Sequence, residues 1–100
     1  MNEITPTDKF RMTDKYVMAH VGDEAVLAPV SASTADMGKI TSVNSTGSEI
    51  LDLLMAGHDF GGTVAKLVDL YGEENRDAVE RDARAFDGKM LSQGVIETAD

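Results

Sequence analysis

The hydrophobic period of this chain changes at Asn44, and this change constrains the fold more than any other feature of the sequence. Before Asn44, apolar residues tend to recur at every second position, which is typical of strands that bury one face. After Asn44 they recur at intervals of three and four residues, which is the pattern of amphipathic helices. The pattern predicts strands first and helices second in one α+β domain.

Three strands are predicted before the change of period. The first covers residues 16–21 and the second covers residues 25–30, and the Gly22-Asp23 pair between them predicts an antiparallel hairpin. The third, residues 39–43, mixes Lys, Thr and Ser with β-branched residues, as exposed edge strands do. The small polar residues 31–38 predict a loop. The alternating residues of the first strand that share one face are Val17, Ala19 and Val21.

Three helices are predicted after Asn44, and each ends at a glycine. The first begins at the Thr46–Glu49 segment, which has the spacing of a capping box. The second is capped by Asp59, and the third runs from about residue 75 to residue 93. The glycines that end the helices are Gly57, Gly72 and Gly94. The predicted architecture is a three-stranded antiparallel sheet followed by three helices, similar to a winged helix-turn-helix.

The two ends of the chain are predicted separately from this domain. Residues 1–13 are polar and contain Pro6, so we expect a flexible N-terminal segment. The folded domain is predicted to cover residues 14–97, with residues 98–100 as a tail. Within it, the apolar Val95-Ile96 pair is expected to pack back as a small strand.

The charge balance argues against nucleic acid and membranes as partners. The chain has 18 acidic residues and 9 Lys and Arg, a formal net charge of −9, and no basic stripe. The charges of the third predicted helix cancel, which argues against a role as a DNA recognition helix. No apolar run is long enough to span a membrane. Cysteine is absent, which fits a cytoplasmic protein.

The motifs of catalysis and cofactor binding are also missing. His20 and His58 are far apart and have no spaced partner, so no metal site is predicted. No nucleophile elbow or phosphate-binding loop occurs. An acyl carrier needs a Ser preceded by Asp, and no such pair exists in the chain. We therefore expect a protein that is not an enzyme and has no cofactor.

A binding surface remains. The edge strand over residues 39–43 has backbone groups that can pair with an added peptide strand. The third helix has an apolar face that could flank the added peptide. The pattern alone favours neither of two interpretations of this face, a buried core face or the wall of a binding groove. Its residues are Val79, Ala83, Phe86 and Met90.

The junction of the last strand and the first helix resembles that of a known family. Val43-Asn44-Ser45-Thr46-Gly47 is similar to the Leu-Asn-x-Thr-Gly junction of PqqD-like proteins, the RiPP recognition elements. The third helix, with Asp82, Phe86 and Met90, and the Gly94-Val95-Ile96 segment after it are similar to two further motifs of that family. The resemblance covers residues 15–97. Asp87 departs from it, because the family usually has an apolar residue there.

The resemblance implies a winged-helix-like domain that binds the leader of a ribosomally made precursor peptide by strand addition. It also implies presentation of that peptide to a separate modifying enzyme, often a radical SAM protein. The alternatives are a winged-helix DNA-binding regulator and a general protein-interaction adaptor. The implied peptide-binding residues are Lys39, Ile40, Thr41, Ser42 and Val43 on the strand, and Val79, Asp82, Ala83, Phe86, Asp87, Lys89 and Met90 on the helix, with Asp82, Asp87 or Lys89 recognising charge.

Overall fold

The computed structural model describes residues 4–30 and 40–99, and their architecture is the α+β arrangement that the sequence predicts. A short 3₁₀ turn, Glu73–Asn75, precedes the last helix. The strands are β1 (Lys9–Met12), β2 (Tyr16–Val21), β3 (Glu24–Pro29), β4 (Thr41–Val43) and β5 (Ile96–Ala99), and the helices are α1 (Ser45–Met55), α2 (Phe60–Tyr71) and α3 (Arg76–Ser92).

The larger sheet is antiparallel and has the strand order β2-β3-β4. The hairpin predicted around Gly22-Asp23 is confirmed, with Val21 paired with Glu24 at its closed end. β4 is confirmed at the edge of this sheet, although it begins at Thr41 and is shorter than predicted. The loop predicted for residues 31–38, like Lys39, lies outside the described residues.

The two faces of this sheet differ in burial. Ala25 and Leu27 of β3 are fully buried, and β3 packs against α1. On the same side, His20 Nε2 of β2 lies 2.9 Å from Asp52 Oδ1 of α1. The opposite side carries Val17, Ala19 and Val21, which share a face as predicted, and that face is exposed. Among the described residues, α1 therefore covers one side of this sheet, and the other side is exposed.

A second sheet, which the sequence did not predict in full, joins the two ends of the domain. β1 pairs antiparallel with β5, from Lys9 opposite Ala99 to Met12 opposite Ile96. This corrects two predictions: residues 9–12 form a strand where a flexible segment was expected, and 98–99 belong to β5 where a tail was expected. The return of Val95 and Ile96 as a strand is confirmed, since both are buried and Ile96 begins β5.

The segment before β1 is also attached to the domain. Ile4 and Phe10 are buried in the core. The backbone N–H of Phe60 donates to the carbonyl of Asp8 at 2.8 Å, and that of Gly61 donates to the carbonyl of Pro6 at 2.8 Å. Two of the free N–H groups at the start of α2 therefore find their acceptors in the N-terminal segment.

The helix boundaries agree with the glycine signals, but one predicted cap was wrong. Gly57 and Gly72 follow α1 and α2 with φ values of 101° and 103°, a region that favours glycine. Asp59 caps α2 as predicted, its Oδ1 accepting from the N–H of Gly62 at 2.7 Å. The cap of α1 is Asn44 in place of Thr46, because the Asn44 carboxamide accepts from the N–H of Gly47 at 2.9 Å.

Candidate functional site

The site begins at the exposed edge of the larger sheet. β4 is the last strand of the order β2-β3-β4, and it leads through Asn44 directly into α1. Along it, Ser42 is exposed while Val43 is buried, as expected for a strand with one face on the core. An edge strand offers backbone groups to a further strand.

A groove lies between the start of α1 and α3, beside this edge. It consists of two adjoining cavities of about 280 Å³ and about 270 Å³. Thr46, Ile50 and Asp82 line both, so the cavities lie side by side. The first is also lined by Asn44, Gly47 and Phe86, and the second by Leu67, Tyr71, Asn75, Ala78, Val79 and Ala83. We call these two cavities together the groove.

Gly47 is the point at which β4, α1 and α3 meet. A methyl group placed on its Cα would lie 2.5 Å from Cγ1 of Val43 and 2.8 Å from Cε1 of Phe86. Both distances are well below van der Waals contact, so only glycine allows this approach without movement of its neighbours. The edge strand and the α3 wall of the groove are therefore in contact through one backbone position.

The groove has an apolar floor and a polar rim. Ile50, Leu67 and Ala83 are buried and form the floor. On the rim, the hydroxyl of Tyr71 donates to Oε1 of Glu49 at 2.9 Å, and this bond to a carboxylate raises the pKa of Tyr71. The side-chain N–H of Asn75 donates to the carbonyl of Tyr71 at 2.6 Å. These bonds link α1, α2 and the start of α3 at one end of the groove.

Asp82 supplies the charge of the groove. Among the described residues that line the two cavities, it is the one ionisable acid or base other than the Tyr71 phenol. Its side chain is 71% exposed and lies 3.6 Å from Arg81, a long and solvent-screened contact. A ligand that brings a cation or a hydrogen-bond donor to this rim would meet an accessible carboxylate.

The structure brings together most of the residues that the sequence singled out. Val79, Asp82, Ala83 and Phe86 line the groove. Thr41, Ser42 and Val43 form β4, and Ile40 directly precedes it. Lys89 is exposed and lines neither cavity, and Lys39 is outside the described residues.

Two predicted helix residues are corrected, because they face the core. Met90 is 2% exposed and Asp87 is 0% exposed. Neither carboxylate oxygen of Asp87 has a hydrogen-bond partner among the described residues, and burial raises its pKa to about 7. Asp87 is therefore not available to recognise charge on a peptide. By the helical period, Asp87 points well away from Asp82, whereas Met90 shares the face of Val79 and Ala83 and lies about two turns beyond Ala83 along α3.

Sequence reasoning missed the groove residues that come from outside β4 and α3. Thr46 and Ile50 belong to α1, and Leu67 and Tyr71 to α2, where the pattern indicated only a cap or a core face. Their apolar spacing is the same whether they pack on another helix or line a cavity. Only the positions of the three helices relative to one another separate the two cases.

Other chemistry has little support in the described residues. No three His, Asp or Glu side chains in that part of the chain come together in a way that could hold a metal ion. Arg84 of α3 donates to the carbonyl of Ile4 and lies 4.9 Å from the ring centre of Phe60, so its charge is engaged inside the domain. None of the described helices is both long and apolar enough to cross a bilayer.

Comparison with known proteins gives the family. The family model described as "Coenzyme PQQ synthesis protein D (PqqD)" matches residues 16–96. The chain belongs to the PqqD family. A search of curated proteins found no match.

Two solved structures are similar to this PqqD-family chain. "TbiB1 in Complex with the TbiA(beta) Leader Peptide" is 28% identical with a TM-score of 0.74, and the match covers 90% of this chain and 99% of that one. "Lasso peptide synthetase B1 complexed with the leader peptide" is 20% identical with a TM-score of 0.71. The match covers 89% of this chain and 98% of that one, and it shows that the two share a fold. The match to the PqqD model begins at Tyr16, so β1 lies outside it although β1 pairs with β5.

Proposed function

We propose that this chain binds the leader segment of a ribosomally made precursor peptide and that it has no catalytic role of its own. The observation that carries the proposal is the position of the edge strand β4, which contacts the wall of an open groove through Gly47. The similarity to TbiB1, whose structure is titled as a leader-peptide complex, supports it.

In this proposal the leader joins the sheet as a strand next to β4. The backbone N–H and C=O groups that point away from β3, which belong to every second residue of the edge strand, provide pairing that tolerates many side chains. The added strand extends the order β2-β3-β4 by one position. Because every second side chain of a strand points the same way, alternate leader residues would point toward the groove.

Selectivity comes from the groove in this proposal. Its apolar floor, with Ile50, Leu67 and Ala83, favours leader side chains that are apolar and can bury their surface there. Asp82 favours a nearby Lys, Arg or hydroxyl on the leader.

The function of the domain is then to hold the peptide for a separate modifying enzyme, for which the family resemblance favours a radical SAM protein. We place this step in the cytoplasm, where ribosomal peptides are made.

Calorimetric titration with the leader of the precursor encoded beside this chain tests the proposal. We expect saturable binding, and a series of leaders with single N-methylated backbone amides should weaken it with a period of two residues. The physical reason is that alternate N–H groups of an edge-paired strand point toward the partner strand.

Two results would contradict the proposal. The first is the absence of heat at about 100 μM of both components, well above the concentrations at which specific peptide sites are occupied. The second is binding that N-methylation leaves unchanged at every position, because strand addition depends on those backbone donors. A leader of the same composition in scrambled order is the control for nonspecific binding.

A further inference from the structure

The side of the larger sheet that faces away from the helices is apolar and exposed. Val17 is 54% exposed, Val21 is 63% exposed and Ile40 is 41% exposed. Val17 lies opposite Ala28, and Ala19 lies opposite Val26, so the side chains form rows across two strands. We call this surface the outer sheet face, and its residues are Val17, Ala19, Val21, Val26, Ala28 and Ile40.

Such a surface is costly in water unless a partner covers it. Monomeric proteins rarely expose a contiguous apolar patch beyond a few hundred Å², and patches with a polar border mark interaction sites. The border here includes an acidic end, because Asp23 lies in the hairpin turn and Glu24, the first residue of β3, pairs with Val21. Among the described residues, α1 packs against the other side of the sheet.

We propose that the outer sheet face is the docking surface for the enzyme that modifies the bound peptide, and that the enzyme meets it with an apolar patch flanked by basic side chains. This inference rests on the proposed leader-binding function and adds the location and chemistry of the second interface.

Continuity with the β4 edge favours the modifying enzyme as the occupant. Ser42 of β4 lies opposite Val26, so the outer sheet face reaches the strand at which the peptide would be added. A peptide strand beside β4 would present alternate side chains on this same face. An occupant of the face would therefore contact both the domain and its guest, which is what an enzyme that receives the peptide requires.

Charge argues against a second copy of the chain as the occupant. Each copy has a net charge of −9 and carries Asp23 and Glu24 beside the patch. Association of two such faces brings like charges together, which opposes binding. A partner with basic groups around an apolar patch gains from the same charges.

The test replaces exposed valines with a residue of the same shape and a polar group. The variant is Val17→Thr with Val21→Thr, since Thr keeps the β-branch and both positions are exposed. The matched control is Leu70→Gln on α2, which removes a 65% exposed apolar side chain away from the sheet. The probes are the leader peptide and the purified modifying enzyme encoded beside this chain, with affinity measured for each by calorimetry.

We expect the double variant to bind the enzyme at least tenfold more weakly, and to bind the leader within twofold of the unaltered chain. The Leu70→Gln control should match the unaltered chain for both probes. Unchanged enzyme affinity in the double variant would overturn the inference while leaving leader binding intact. Failure of the unaltered chain to bind the leader would instead refute the proposed function.

Sedimentation of the unaltered chain alone adds one more outcome. A dimer that the double variant loses, together with unchanged enzyme affinity, would assign the outer sheet face to a second copy and overturn the choice of the enzyme. A monomer at the concentrations used for binding, with the expected loss of enzyme affinity, supports it.

Discussion

The carboxyl group of Asp87 has no hydrogen-bond partner among the described residues and lies in the core of the domain. Burial raises its pKa from 3.8 to about 7. The folded state therefore holds this proton more tightly than the unfolded state does. As the pH rises from 3.8 to about 7, the free energy of unfolding falls, and the total loss from this one group is about 4 kcal/mol or less.

Asp87→Asn should remove this pH dependence. The amide stays neutral, so we expect the variant to be more stable than the unaltered chain by about 1 to 3 kcal/mol at pH 8, the gain being limited because the amide is also unpaired. Urea denaturation followed by circular dichroism at pH 5 and pH 8 measures it. Asp69→Asn, at an exposed position on α2, is the control and should change little. Equal pH dependence in the Asp87→Asn variant and the unaltered chain would contradict the assignment.

Asp82 is the residue at which the charge of the groove can be tested. Asp82→Lys should weaken binding of a leader that brings a cation to this rim, by about tenfold, because attraction becomes repulsion at an accessible site. Glu80→Lys makes the same change of charge on an exposed residue of α3 that lines neither cavity, and it should leave affinity within about twofold. Calorimetric titration compares the two, and equal effects would assign the change to net charge alone.

At the scale of elements, a glycine in α1 and a glycine in α3 differ in the space around them. Gly47 has no room for a side chain, because Val43 and Phe86 lie against it. Gly88, in the interior of α3, has no atom within 4 Å of the place where a methyl group would stand. One glycine is thus required by packing, whereas the other only lowers the stability of its helix.

Gly47→Ala and Gly88→Ala should therefore have effects of opposite sign. We expect Gly47→Ala to lower the free energy of unfolding by about 1 to 3 kcal/mol through overpacking, and to weaken leader binding because Phe86 must move. Gly88→Ala should raise stability by up to about 1 kcal/mol. Chemical denaturation gives the free energy of unfolding of both variants. If both variants were less stable than the unaltered chain, the loss could not be assigned to the lack of space beside Gly47.

At the scale of the whole molecule, β1 and β5 join the two ends of the described chain. Phe10 is 4% exposed within this pair, and it lies opposite Thr98. The N-terminal segment also accepts hydrogen bonds from the start of α2 and from Arg84 of α3. The N-terminal segment is therefore part of the structural unit, even though the family model matches only residues 16–96.

Phe10→Ala should show how much this pairing contributes. Loss of a buried phenyl ring costs about 3 to 5 kcal/mol, so we expect a large fall in the free energy of unfolding. Lys9→Ala, at the neighbouring exposed position, should change it by less than about 0.5 kcal/mol. Thermal and urea unfolding measure both variants. A Phe10→Ala chain as stable as the Lys9→Ala chain would mean that β1 adds nothing to the core.

Most element types and boundaries, and the place of the edge strand, could be predicted from the sequence. Local signals carried these predictions: the period change at Asn44, the cap at Asp59 and the glycines that end the helices. The tertiary structure decided the rest. Residues 9–12 form a strand only because residues 96–99 lie beside them, and periodicity cannot reveal a partner that is distant along the chain.

The residues of the candidate site also differ in whether the sequence could predict them. Val79 and Phe86 were predicted from the apolar face of α3, and Asp82 from the family resemblance; all three line the groove. Asp87 was misplaced, because a charged residue is ordinarily read as exposed and only the packing of α3 shows it in the core. Burial and cavities are properties of several elements in contact, so the sequence pattern of one element determines what it can cover, and the assembled fold determines what it does cover.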